Sequence, residues 1–193
     1  MLTTAMRPVR CRAIGCQNML MRRTINHRAC SVECAKVLVD IKNAKEAARI
    51  AKVERRDQRE RREALKTRSD WIKDAQVAFN AYIRARDHAA GHPCISCGRH
   101  HQGKWNAGHY LSTGARPELR FDEANVHLQC ETCNTYLHGN LALYRINLIA
   151  RIGLDQVERL EGHRGISKLT VDEIKALRDH YRVKTRELEK QHA

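Results

Sequence analysis

The sequence predicts an α+β protein that is mainly helical. A small zinc-stabilised core of two strands and a helix carries an N-terminal zinc finger and a long helical linker. Three observations predict this. Eight cysteines fall into two quartets, Cys11, Cys16, Cys30, Cys34 and Cys94, Cys97, Cys130, Cys133, with none left over. Residues 31–90 contain neither glycine nor proline, so nothing there interrupts a helix. The strand-compatible residues and turn signals are concentrated between the two pairs of the second quartet. The organisation expected is a basic finger at 1–38, a charged helical linker at 39–67, the core at 68–145 and helices at 146–193.

Composition explains why metals are needed. Aromatic residues make up 5% of the chain and charged residues 30%, a thin supply for an apolar core. Chains that bury little apolar surface lean on metal staples, because metal-binding energy becomes folding energy. The N-terminus has Arg7, Arg10 and Arg12 scattered through it and no continuous apolar run, so it reads as no signal peptide. Thiolate–metal sites are therefore expected rather than disulfides, and the cytoplasm rather than an oxidising compartment. No run of about 18 apolar residues exists, so no membrane span is expected. Thirty-six basic residues against 22 acidic ones give a net charge of +14, which attracts polyanions; nucleic acid is the ordinary target. The basic segments lack the large apolar face that an anionic lipid surface would require.

In chain order, Cys11 and Cys16 form a loose first pair, with Gly15 and Asn18 suited to the turns around it. Cys30 and Cys34 form the second pair, and Ser31 between them is placed to cap a helix. Arg7, Arg10, Arg12, Arg22 and Arg23 make this finger a candidate DNA clamp; the alternative is a knob that only orders the N-terminus. Residues 40–66 are mostly Ala, Glu, Lys, Arg, Gln and Ile and predict one long exposed helix. Ile41, Ala44, Ala48 and Ala51 mark a weak stripe, suited either to a solvated spacer or to a short dimerising coiled coil. Residues 69–87 repeat apolar side chains at helical spacing, with Ser69 as the expected cap, and predict an amphipathic helix lying on the core.

The core itself opens with Cys94-Ile95-Ser96-Cys97 and closes with Cys130-Glu131-Thr132-Cys133. Two such pairs can point four sulfurs at one Zn2+, and a closed four-thiolate site has no open position for chemistry. Chemistry therefore falls to what the metal pins in place: His109 in the intervening stretch, and Asn125, His127 and Asn134 beside the second pair. Residues 104–111 are expected as a first strand, 124–128 as its antiparallel return, and a helix is expected from near Asn134. A mostly apolar helix ending at Gly153 and a second, short helix over Leu154 to Glu161 should follow. Thr170-Val171-Asp172-Glu173 is a capping box for the last.

Zinc-clamped pairs enclosing a Gly-His, followed by an asparagine and a second pair with Asn directly after it, resemble the HNH or ββα-metal nucleases. They resemble most the endonuclease VII type. The whole chain is similar to the NinG (Rap) recombination endonucleases of lambdoid phages. The resemblance is carried by Cys30-Ser31-x-Glu33-Cys34, Ser69-x-Trp71-Ile72-Lys73-x-Ala75-Gln76, Pro93-Cys94-Ile95-Ser96-Cys97-Gly98, Ala107-Gly108-His109-Tyr110 and Tyr144-Arg145.

The resemblance implies a metal-dependent, structure-selective endonuclease that nicks branched DNA, such as D-loops and Holliday junctions, in phage recombination. It implies His109 as general base, Asn125 as the residue fixing the loop that carries the base, and Asn134 as a ligand of a catalytic Mg2+ or Mn2+. His138, a helical turn further on, is a second candidate ligand. A homodimer would suit paired incisions. At the position before the base, where HNH nucleases usually carry an Asp, this sequence has Gly108. A carboxylate would then come from elsewhere, with Asn106, Asp122, Glu123 and Glu131 as candidates, or amides and waters would suffice. Two other readings are open: a non-catalytic two-zinc nucleic-acid-binding protein, and a site-specific HNH endonuclease.

Overall fold

The computed structural model describes residues 8–162, 165 and 169–191. The chain forms two compact units, residues 1–65 and 66–193.

In the first unit, β1 (Pro8–Arg10) and β2 (Met19–Met21) pair antiparallel with Val9 opposite Leu20. Cys11, Ala13 and Leu20 are buried together, with Val9 and Leu38 packed against them. The long helix α1 runs from Val32 to Ala64. It starts eight residues before the expected linker helix because Ser31 stops the finger and starts the helix at once. The Ser31 backbone is extended and its hydroxyl accepts the Cys34 N–H at 3.2 Å. Finger and linker thus share one element. Over its 33 residues, about 50 Å at ~1.5 Å per residue, α1 buries no side chain fully; Cys34 and Leu38 are partly covered by the finger. Its exposed face carries Arg49–Glu46, Arg56–Glu60 and Arg59–Glu63 pairs at helical spacing.

The second unit is built on α2 (Arg68–Ala89). Its cap is Thr67 rather than Ser69: Thr67 and Asp70 exchange side-chain and backbone bonds in a full capping box, which Ser69 has no acid at the right offset to complete. Strands β3 (Trp105–His109) and β4 (Val126–Cys130) pair antiparallel. Their register sets Trp105 opposite Cys130, Asn106 opposite Gln129, Gly108 opposite His127 and His109 opposite Val126. Helices α3 (Leu141–Ile152), α4 (Leu154–Gly162) and α5 (Val171–Gln191) complete the unit. Gly153 ends α3 at φ 85°. Thr170 and Glu173 form the expected capping box on α5.

Two apolar clusters hold these elements. Phe79 and Tyr82 of α2 meet Tyr181 of α5 at ring separations of 4.8 and 5.3 Å, over Ile83 and Val126. Such aromatic pairs add about 0.5–1.5 kcal/mol each beyond the area they bury. Tyr144, Leu148, Val157 and Leu160 of α3 and α4 close over Ile95, Tyr110 and Leu119. Trp71, Ala75 and Ile174 form a smaller contact between α2 and α5.

The helix expected to begin near Asn134 does not form there. Residues Thr132–Tyr136 make a single wide π turn. His138, Gly139 and Asn140 then all adopt positive φ, at 48°, 90° and 45°. Three left-handed residues in a row end any right-handed helix, and the regular helix starts only at Leu141.

Candidate functional site

Each cysteine quartet comes together in space. Within Cys11, Cys16, Cys30 and Cys34, and within Cys94, Cys97, Cys130 and Cys133, the sulfurs lie no more than 4.8 Å apart. Four buried or half-buried thiols converging within that distance suit a tetrahedral Zn2+. In the first unit Asn18 Nδ2 points at Cys30 Sγ from 3.6 Å. In the second, backbone N–H groups of Cys130 and Cys133 reach Cys94 Sγ and Cys130 Sγ at 3.4 Å, and Asn140 Nδ2 reaches Cys133 Sγ at 3.8 Å. His101 Nε2 stands 3.1 Å from Cys97 Sγ. Burial pushes the Cys97 thiol up, but His101 and the Arg99 backbone outweigh it and bring it down to about 6. Burial pushes Cys133 up to about 12. A metal would displace such protons, so these sites couple metal binding to pH.

His109 ends β3 with its ring half-buried. Its Nε2 lies 3.1 Å from the Arg120 carbonyl oxygen. A carbonyl can only accept, so Nε2 carries the proton and Nδ1 is left with its lone pair. No hydrogen-bond partner meets Nδ1 among the described residues. Burial lowers the ring's pKa, the Arg120 carbonyl opposes this, and the Arg120 charge lowers it further. The ring is neutral at neutral pH, with one nitrogen pinned and the other able to take a proton.

Asn125 is fully buried and occupies the turn before β4. Its Oδ1 accepts the Leu111 N–H at 2.9 Å, and its Nδ2 donates to the carbonyls of Leu111 and Leu119 at 3.0 and 3.2 Å. Its own carbonyl takes the Tyr110 N–H at 2.8 Å. One side chain thereby ties the chain just past His109 to the chain just before Arg120, the two ends of the segment that pins the imidazole.

Asn134 lies half-buried in the π turn, and His138 is exposed with positive φ. The acidic candidates are each occupied by a cation or an N–H. Asp122 takes Ala124 N and Arg159, Glu123 takes Tyr82 and Lys184, and Glu131 takes Lys104. Among the described residues, the groups of three or more His, Cys, Asp or Glu side chains placed to share one ion are the two cysteine quartets, and neither includes His109. Any cation beside His109 would be held mainly by neutral oxygens.

Position 108 is where the missing carboxylate would stand. A β-carbon there would fall 1.9 Å from Oε1 of Gln129, so the space is already filled by that amide. Nothing in the sequence beyond its place before Cys130 marks Gln129. It is fully buried, and Oε1 has no hydrogen-bond partner.

His127 is a buried core histidine. Its Nε2 donates to the Ala124 carbonyl at 3.1 Å, and its Nδ1 accepts from Arg86 at 3.2 Å. It belongs with Arg86, Asp87 and Arg151 to a buried charged cluster that sequence reading did not anticipate. Asp87 closes an otherwise apolar helix face, and only the strand packed on it reveals the role. Of the finger arginines, Arg10, Arg12 and Arg23 are exposed and Arg22 is half-buried; Arg7 lies outside the described residues. Among the described residues, no helix is long and apolar enough to cross a membrane.

The geometry defines a mainly helical protein of two units, each with a two-stranded sheet and a four-cysteine cluster suited to zinc. The family described as Bacteriophage Lambda NinG protein matches residues 4–191, and the chain belongs to that NinG family. It is 48% identical over 125 residues to Protein ninG of Escherichia phage lambda, covering 65% of this chain and 60% of that protein. The ninG proteins of Escherichia phage 933W and Salmonella phage P22 are each 49% identical over 125 residues, covering 65% of this chain and 61% of theirs. The chain thus spans about three fifths of the length of the curated relatives it matches. No solved structure matches it.

Proposed function

We propose that this protein is a metal-dependent, structure-selective endonuclease that nicks branched DNA, including D-loops and Holliday junctions, during phage recombination. The observation that carries the reading is His109: a neutral imidazole whose Nε2–H is spent on the Arg120 carbonyl, leaving Nδ1 as a proton acceptor. Phosphodiester hydrolysis needs a water deprotonated as it attacks phosphorus, and Nδ1 can take that proton. Asn125 positions the base by holding both ends of its supporting loop. Asn134 and His138 are the side chains offered to the cation from beyond the second cysteine pair. Bound Mg2+ or Mn2+ would supply charge neutralisation at the phosphate. The zinc clamps keep hairpin and loop rigid and take no part in the reaction.

DNA binding rests on the net charge of +14 and on the exposed Arg10, Arg12 and Arg23 of the finger. Paired incision of a symmetric junction favours two copies, and α1, exposed along most of its length, is the element offered for pairing. As a phage protein working on intracellular DNA, it would act in the host cytoplasm.

A second reading has its own observation. No acidic cluster surrounds His109 among the described residues, which favours a zinc-stabilised nucleic-acid-binding protein without catalysis. Incubating the zinc-loaded chain with a four-way junction, with and without Mg2+ or Mn2+, separates the two. Metal-dependent nicks support the endonuclease, and binding without nicks under all metals leaves the binding protein. A linear duplex competitor that abolished junction cutting would instead indicate the site-specific HNH enzyme.

A further inference from the structure

We infer that the groove between the zinc finger and the start of α1 docks an acidic, apolar-anchored segment of a partner protein. The inference concerns the first unit alone and stands apart from the endonuclease reading.

The groove has a volume of about 1240 Å3, and the residues lining it all fall between Arg12 and Arg49. Small-molecule clefts run to about 300–1000 Å3, so this space suits a length of chain instead. Helix α1 lines it from Val32 to Arg49, about 25 Å at ~1.5 Å per residue, the span of roughly eight extended residues.

Its floor is apolar and open to water. Val32, Ala35 and Val39 share one side of α1 at helical spacing, with Leu38 beside them on the edge of the finger core. Val32 is 67% exposed and Val39 53%, so the described residues leave both uncovered. Covering them takes a partner that brings apolar side chains of its own.

Charge narrows the partner. Arg12 and Arg28 of the finger and Lys42, Lys45 and Arg49 of α1 all line the groove, and all are exposed. Among the described residues the one acid lining it is Glu46, and Arg49 already holds both its oxygens, at 2.7 and 3.0 Å. The groove is left with a strong positive excess beside an aliphatic floor. A segment in which Asp or Glu flank apolar side chains answers both features at once.

Nucleic acid answers only one of them. Phosphates would meet the cations and leave the valine floor in water. Unpaired bases would need aromatic side chains to stack on, and no Phe, Tyr or Trp is among the described residues that line the groove. The same face of a second α1 would set Lys42, Lys45 and Arg49 against their own copies. The alanine stripe at Ala44, Ala48 and Ala51 lies on the far side of α1, at ~100° per residue, so two copies paired through it leave the groove free.

The test uses the full zinc-loaded chain and two fluorescein-labelled synthetic peptides of equal charge, one interleaving Asp with Leu and the other Asp with Ser. By fluorescence anisotropy the Leu peptide should bind on the order of tenfold more tightly than the Ser peptide. Val39→Ser should remove most of that preference, and Lys42→Glu with Lys45→Glu should weaken both peptides. Neither change should release zinc or alter the mass seen by light scattering. Equal affinity for the two peptides, or no binding of either, overturns the inference, and so does a Leu preference that Val39→Ser leaves untouched. A single-stranded oligonucleotide whose own binding falls on the order of tenfold in Val39→Ser would make the groove a nucleic-acid site. A dimer that Val39→Ser turns into a monomer would make a second copy its occupant. Either of these results also overturns the inference.

Discussion

The carboxylate of Asp87 joins α2 to β4: Oδ2 accepts the Leu128 N–H at 2.7 Å while Oδ1 takes Arg86 Nε at 2.7 Å. Arg86 continues across the join to the carbonyls of Val126 and Glu123 at 3.0 and 3.2 Å. The strand that delivers Cys130 to the metal cluster is therefore held by a buried charge pair as well as by apolar contact.

Removing one partner of that pair should be costly. Asp87→Ala removes the buried counter-charge beside Arg86 and Arg151 and strands the Leu128 N–H, and should destabilise the second unit by about 3–5 kcal/mol in denaturant melts. Acid should act in two stages. Burial by itself raises the Asp87 carboxyl, but the Arg86 guanidinium and the Leu128 N–H outweigh it and hold it well below the ordinary carboxylate range. Its stabilisation is complete at neutral pH and fades only as the pH falls below about 3.9. Burial lowers His127 and His109. The unfolded chain takes up those protons first, so stability should begin to fall as the pH drops below about 6.5. Thermal melts across pH should show the histidine limb, and His127→Gln should shrink it.

Zinc content should be two per chain by elemental analysis. Cys130→Ser should release one and unfold the hairpin, because that sulfur sits at the convergence of the buried quartet. Cys34→Ser should release the other while leaving α2, α5 and the hairpin folded, since the first quartet belongs to a separate compact unit. A zinc content near one, with free thiols at Cys11 and Cys16, would remove the finger half of the proposal.

How far these features were legible follows from what each depends on. Cysteine pairs at short spacing can only come together by local turns, so both quartets were readable from sequence. The same holds for the caps at Ser31 and Thr170, which are decided within four residues. The cap at Thr67 was missed by two positions because Ser69 is equally good in isolation, and the partner Asp70 decides. The helix expected after Cys133 failed on conformation. His138 and Asn140 carry no sequence signal strong enough to announce positive φ. The Arg120 carbonyl, the Asp87 cluster and the Gln129 oxygen arise from chain segments brought together across 11 to 41 residues. No local pattern encodes such meetings.

Asn125→Ala should damage activity and stability together, unlike a change at a group that only meets substrate. The substitution orphans the Leu111 N–H and the Leu111 and Leu119 carbonyls, each worth on the order of 1–3 kcal/mol when buried. The expected result is a lower melting temperature and a slower cleavage rate with junction affinity nearly unchanged. A variant as stable as wild type would contradict the bond pattern at this residue.

A homodimer is expected by light scattering at cellular salt. Helix α1 buries no residue, and Val37, Val39, Ile50 and Val53 stand exposed along it. Changing Ile41 and Ala48 to lysine should then give a monomer that still binds zinc. A wild-type chain of monomeric mass, with or without junction DNA, would leave the paired-incision reading without its pairing element.

The most discriminating change is His109→Ala. Junction binding should survive it, because affinity is spread over many phosphate contacts from a chain of net charge +14, and a neutral imidazole adds none. Cleavage should fall by about 10²–10⁴-fold, the usual contribution of a positioned general base. Both zinc ions should stay, since His109 is not part of either quartet. Because burial lowers the ring's pKa, the base stays unprotonated below the usual histidine range. The acid limb of the wild-type pH–rate profile should therefore lie below about 6.5, provided chemistry limits the rate. Asn134→Ala should respond to added Mn2+, whereas His109→Ala should not, since metal cannot replace a missing proton acceptor. If His109→Ala nicks a branched substrate at the wild-type rate, His109 is not the base and the proposed mechanism falls.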